Sequence, residues 1–348
     1  MTTVGGSGPG PAEPKVTRAR PCGPPARGDG HLSAARGPSD AATVGTRTSA
    51  GYVAASVRAR GLARRRMGPA ARGVATRPGL DAALVALSAT AYGRGVHPGQ
   101  SVAGAQDGIA ATLLWHLRVL AGWLPPGGAE VLRAAAGWFE IANVERRLRE
   151  LGGRTSRPPF ELGALATAWP RLARAGTVPA LLGELAASGW CRRDPGTDRG
   201  AMLAMRLSWA RRMAGFPAAE AWAAGGAALL VARERWLGEA EDPTAAPLIG
   251  SAAFSAASWP EFVAALPARA AWPFATVGGP QDLWLGEAAW WRRLESGGLA
   301  LLRRGGSGED SIVGAAAVLA ADAWRVRAAL ACAADGGDAA VFDAVMGG

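Results

Sequence analysis

Few residues of this 348-residue chain are of a type that carries chemistry, and they stand apart from one another. The one lysine, Lys15, sits in Pro14-Lys15-Val16, without the Gly-x-x-x-x-Gly-Lys-Ser/Thr spacing that cradles nucleotide phosphates. No lysine remains elsewhere for Schiff-base chemistry. His31, His97 and His116 lie in separate segments without ligand spacing, and a zinc site needs three or four converging ligands. Cys22, Cys191 and Cys332 are odd in number, distant, and form no Cys-x-x-Cys pair, which fits a reducing, cytoplasmic setting. Gly5-Gly-Ser-Gly8 and Gly305-Gly-Ser-Gly308 follow no strand and read as linkers, and no serine lies in a nucleophile elbow. The residues therefore predict no active site, metal or cofactor, and no direct nucleotide binding.

What the chain does concentrate is a small set of rare polar residues. Its only tyrosines are Tyr52 and Tyr92, and its only asparagine is Asn143. Glu140, Asn143 and Arg147 follow at i, i+3 and i+7 beside the apolar Ile141, Val144 and Leu148. That pattern predicts a polar seam on a buried helix, holding neighbouring bundles in register by hydrogen bonds. Charge is equally localised. Lys15, Arg18, Arg20, Arg27, Arg36, Arg47, Arg58, Arg60, Arg64, Arg65, Arg66, Arg72 and Arg77 face only Glu13, Asp29 and Asp40 in residues 1–77, which accounts for the whole net charge of +10. A basic leading segment on a neutral body attracts anionic lipid, acidic protein or nucleic acid. Of the fourteen tryptophans, most are expected to fill gaps between alanine-rich helices. Trp290 and Trp291, next to Arg292 and Arg293, and Arg64 and Arg65 are candidates for a protein interface.

The elements that must position these residues are helical. Residues 1–48 are Gly, Pro, Ser, Thr and Arg with little apolar spacing, and are expected to be a disordered basic tail. Tyr52, Ala55, Ala59 and Leu62 then fall on one helical face, as do Leu113, Leu117, Leu120 and Leu124 before Pro125-Pro126-Gly127-Gly128. Ile141, Val144, Leu148 and Leu151 precede the stop signal Gly152-Gly153. No run of alternating Val, Ile and Thr occurs, so the fold class is all-α. No stretch of about 18 uninterrupted lipophilic residues is present, and the apolar run Ile312 to Leu319 meets Asp322 and Arg325.

An internal repeat completes the pattern. Leu84-x-x-Leu87-x-x-Thr90-x-Tyr92 returns as Leu182-x-x-Leu185-x-x-Ser188-x-Trp190, with a weaker third copy in Val263-x-x-Leu266 and Trp272. The helix after the first copy carries Glu140, the helix after the third carries Asp322, and the middle one has no matching acid. Three helical units, 49–155, 156–245 and 246–348, would arrange naturally about a pseudo-threefold axis.

Tyr52-Val-Ala-Ala-Ser-Val-Arg58-Ala59, the segment Leu84 to Tyr92 with Thr90, and Glu140-Ile-Ala-Asn143-Val144 through Leu148-Arg149, in that order, resemble the C subunit of V-type ATPases, called d in eukaryotes. Near the C-terminus Gly314, Asp322, Arg325, Val326 and Arg327 occupy the places of the family's last acidic helix, with Arg325 where the family has Asn. The resemblance implies a non-catalytic funnel of helices on the cytoplasmic face of the membrane. Its partners would be the ring of membrane subunits and the central-shaft subunits, and it would pass torque between ATP turnover and ion movement. The alternative from another class is a helical scaffold or a nucleic-acid adaptor using Arg58 to Arg66, whose binding would weaken steeply with salt.

Overall fold

The computed structural model describes residues 38–192, 195–238 and 240–347, with side chains from Ala50 onward. Thr43–Gly348 form one compact unit, and Pro38–Ala42 fall outside it. Residues 1–37, the greater part of the expected disordered tail, lie outside the described residues. The first helix, α1 (Pro38–Arg64), begins ahead of the expected boundary at residue 48.

The described residues hold helices and no strand. After α1 the chain runs through three rounds, each a set of short helices followed by two long ones. The first round is α2 (Arg72–Ala75), α3 (Leu80–Ser88), α4 (Val102–Trp123) and α5 (Glu130–Leu151). The second is α6 (Trp169–Leu172), α7 (Val178–Ala187), α8 (Asp198–Ala214) and α9 (Glu220–Leu237). The third is α10 (Ala246–Ile249), α11 (Ser251–Ser255), α12 (Trp259–Ala265), α13 (Ala268–Ala271), α14 (Leu283–Arg303) and α15 (Glu309–Ala334), after which α16 (Ala339–Met346) ends the fold. Starts and stops follow local chemistry. Ser101, Thr177, Thr197 and Ser258 each accept the amide three residues on, capping α4, α7, α8 and α12. Pro125-Pro126 ends α4, and Gly153, in the left-handed region at φ 74°, follows the end of α5.

The long helices touch in a closed order. Within rounds α4 packs on α5, α8 on α9 and α14 on α15; between rounds α5 packs on α8, α9 on α14 and α15 back on α4. α15 also touches α5. Four apolar clusters match this order. One joins α1, α4, α5, α14 and α15, through Leu62, Leu117, Leu132, Leu301, Ile312 and others. Each of the remaining three joins the short helices of one round to the long helix that precedes them. Leu84, Leu87 and Tyr92 meet Val326 and Leu330; Leu181, Leu185 and Trp190 meet Val144 and Leu148; Phe262 and Phe274 meet Ala228 and Val231. The first short segment thus docks on the last long helix.

Close helix contact rests on glycines. A Cβ at Gly314 would meet the Gly298 carbonyl oxygen at 2.8 Å and the Leu301 Cβ at 2.9 Å, so α14 and α15 touch backbone to backbone. Tryptophans occupy other such gaps. Trp190 lies on Gly137, Trp272 on Gly225 and Trp222 on Gly297. Of the fourteen, Trp190 is wholly buried, whereas Trp123, Trp138 and Trp284 are exposed. Gly314→Val is expected to destabilise the fold by about 1–3 kcal/mol through overpacking against rigid helix atoms. Gly183→Ala, in α7 with open space at its Cβ, should stabilise by about 0.5–1 kcal/mol. Urea midpoints of the two variants measure the opposite signs.

Candidate functional site: buried acids where the rounds join

Glu140 has no exposed surface, yet its carboxylate is fully provided for. It accepts the backbone amides of Thr167 at 2.8 Å and Ala168 at 2.7 Å, the Thr167 hydroxyl at 2.9 Å, and the Trp190 indole N–H at 2.9 Å. The two amides lie just before Trp169-Pro170, at the start of α6, where N–H groups have no helical acceptor and favour an anion. The Arg212 guanidinium stacks on the other side of this group, 3.7 Å from the Trp190 ring centre. Burial lowers the Arg212 pKa and the nearby Glu140 charge opposes that shift. One turn on, the buried Asn143 side chain grips a single residue. It donates to the Phe160 carbonyl at 2.9 Å and accepts the Phe160 amide at 2.6 Å. Arg147 donates to the Ala175 carbonyl at 2.7 Å and pairs with Glu150 at 2.9 Å. Glu140, Asn143 and Arg147 thus bond to the connecting segment and short helices of the next round.

Asp322, equally buried on α15, repeats the arrangement with the first round. It accepts the amides of Met67 at 3.1 Å and Gly68 at 2.7 Å, just before Pro69, and the Tyr92 hydroxyl at 2.8 Å. Burial first, and then the Asp322 charge, push the Tyr92 phenol well above its ordinary pKa. The aromatic is aimed by the residue two before it. Thr90 Oγ1 donates to the Leu87 carbonyl and accepts the Tyr92 amide; Ser188 Oγ does the same with Leu185 and Trp190. The repeat seen in the sequence is thus one device used twice, a hydroxyl-ordered turn that delivers an aromatic donor to a buried acid.

The third junction keeps the shape and loses the acid. Trp272 seats on Gly225 as Trp190 seats on Gly137, but its indole donates to the Ala221 and Arg269 carbonyls. The carboxylate here comes from α12 itself: Glu261 Oε2 accepts the Ala257 amide while Ser258 Oγ accepts the Glu261 amide. Arg235 of α9 donates to the carbonyls of Ala253, Phe254 and Ala256. Arg235 lies ten residues after Gly225 as Arg147 lies ten after Gly137, and both donate to carbonyls of the next round; the acid alone is missing.

The remaining sequence candidates fall elsewhere. Arg58, Arg64, Arg65 and Arg327 are exposed. Tyr52 is half-buried, its hydroxyl close to Gly128 in the turn after α4. Trp290 and Trp291 are half-buried and internally engaged. Trp290 donates to the Trp222 carbonyl at 2.8 Å, and Trp291 stacks on Trp324 at 5.3 Å. Arg325, where the resemblance expects Asn, forms a pair with Glu295 of α14 at 2.9 and 2.5 Å, and those hydrogen bonds hold the Glu295 carboxyl below its ordinary range. Sequence reasoning missed the amides of Met67, Gly68, Thr167 and Ala168. Their one signal is the shared Gly-Pro and Trp-Pro steps at Gly68-Pro69, Trp169-Pro170 and Trp259-Pro260. The chain matches no family model and no curated protein.

These sites are built to hold, with every oxygen of the acids engaged by donors of the chain. Asn143→Leu is expected to cost about 1–3 kcal/mol, because the Phe160 amide and carbonyl lose their partner in a largely apolar setting; thermal melting with and without the substitution measures it. A pH effect comes from His116 on α4. Burial, then the charges of Arg65, Arg94 and Arg58, lower its pKa from 6.5 to about 4. The unfolded chain therefore takes up a proton near pH 6.5 that the folded chain refuses until about pH 4. Stability is full above 6.5 and declines as the pH falls between those values. In His116→Gln the decline from about pH 7 to about pH 5 should be smaller in urea melts.

Proposed function

We propose that this chain is a non-catalytic subunit of a V-type rotary ATPase or ATP synthase, joining the central shaft to the membrane ring and transmitting torque for proton or sodium transport. On this reading the three rounds are three similar units about a pseudo-threefold axis, forming a funnel that lies peripherally on the cytoplasmic face of the membrane. The observation that carries it is the closed succession of junctions, in which each set of short helices docks on the long helix before it and the first docks on the last. A part that passes torque must resist shear between its units. Buried acids tied to the next round's amides, and helices in backbone contact at Gly298 and Gly314, supply that stiffness. No helix among the described residues is long and apolar enough to cross a membrane, which suits a subunit resting on a ring made by others.

The test is recovery of the intact protein with its native membranes, a high-salt wash, and identification of what stays bound. Membrane-ring and shaft subunits of a rotary ATPase are expected. Nucleic acid alone, released by the added salt, would replace this reading with the adaptor that uses Arg58, Arg64 and Arg65. Substitution of Arg64 and Arg65 by Ala should leave the melting temperature unchanged while weakening the retained complex, since both are exposed.

A further inference from the structure

A cleft of about 460 Å³ opens between α4, α5, the turn after α3 and the connecting segment that Asn143 holds. Its walls carry three arginines, Arg94, Arg118 and Arg146, together with Trp115 and Phe160. Each guanidinium rests against a wall of the cleft, Arg146 half-buried and Arg94 and Arg118 exposed. Arg94 lies over the Trp115 ring at 4.3 Å, and Arg146 over the Phe160 ring at 4.0 Å. Arg118 lies against Gly163, where a Cβ would meet its guanidinium at 3.2 Å, and donates to the Glu161 carbonyl at 3.2 Å. Two backbones touch within its lining: a Cβ on Gly95 would meet the Gly108 carbonyl oxygen at 2.5 Å.

Three arginines line this cleft against two acids, Asp107 and Glu161, which leaves one positive charge in excess. Asp107 pairs with both Arg146, at 2.8 Å, and Arg157, at 3.1 Å, so one carboxylate serves two cations. Glu161 gives Arg118 its backbone carbonyl. Arg94 meets the ring of Trp115 and no carboxylate among the described residues, and neither does Arg118. Planar guanidiniums held by stacking, with N–H edges left over, are suited to bidentate recognition of carboxylate or phosphate. The volume suits a small molecule.

We propose that this cleft binds a small oxyanion, carboxylate- or phosphate-bearing, through Arg94 and Arg118, with Arg146 as a fixed part of the wall. The proposal stands apart from the rotor reading, which makes no use of the cleft, and either can fail alone. The experiment is calorimetric titration of the full chain at low salt with inorganic phosphate and, separately, with citrate. Saturable binding of at least one is expected, weakened about tenfold or more by Arg94→Ala and by Arg118→Ala. Arg133→Ala, which removes an exposed ion pair with Glu130 on α5, should bind as the parent does. Phosphate bound more tightly than citrate assigns a phosphate group, and the reverse assigns a carboxylate. Melting curves show that the variants fold. Absence of saturable heat with both anions, or equal affinity in folded Arg94→Ala and Arg118→Ala, overturns the proposal.

Discussion

The fold depends on how a buried carboxylate can be kept without penalty. An ionised acid out of water is costly unless donors surround it, and loss of those donors exposes that cost in full. Glu140 and Asp322 are surrounded by amides that no helix uses, since both sets precede a proline at the start of a short helix. The acid sits on one round and its donors on the next, so satisfying it fixes where the chain must go. For Asp322 the donors are about 250 residues away in sequence, at Met67 and Gly68, and the same interaction that satisfies the acid closes the order of helices.

That constraint explains why the aromatic ends of the repeat differ while their geometry does not. A tyrosine hydroxyl and an indole N–H are both single donors at the tip of a large apolar ring, so either can reach an acid while filling the space beside it. Tyr92 serves the shorter Asp322 and Trp190 the longer Glu140. At the third junction Ala228 stands three residues after Gly225, as Glu140 stands three after Gly137, and the indole of Trp272 turns to carbonyls instead. The packing of ring on glycine survives there without the charge, which shows that the apolar part of the device and its polar part are separable.

Much of this was legible in the sequence because periodicity and rarity are local signals. The stripe Ile141, Val144, Leu148 lies buried as its spacing requires, the stops at Pro125 and Gly152-Gly153 hold, and the Thr90-Tyr92 and Ser188-Trp190 repeat is one turn used twice. Glu140 and Asn143 stood out as polar residues on an apolar helix. What could not be read was the partner of each. A backbone amide has no residue type, so nothing in the letters of Met67 or Thr167 announces a donor to a distant acid. The expected bundle-to-bundle bonds are bonds from helix to connecting segment for the same reason. Trp290 and Trp291, adjacent to arginines in sequence, are engaged within the fold: Trp290 bonds the Trp222 carbonyl, Trp291 stacks on Trp324, and the two rings meet edge to face.

Arginine has two uses in this chain, separated by what lies opposite it. Arg325 meets Glu295, Arg235 reads three carbonyls, and Arg147 ties α5 to Ala175; these guanidiniums are consumed by the fold. Arg94 and Arg118 are exposed and rest against a tryptophan face and a glycine backbone, surfaces that take up few of their N–H groups. A mobile surface arginine gives up conformational freedom when it binds, whereas one already fixed by packing gives up little. Asn143 links the two uses. By gripping Phe160 it sets both the joint between rounds and the wall of the cleft on which Arg146 stacks, so the contact that ties the rounds also places the Arg146 guanidinium.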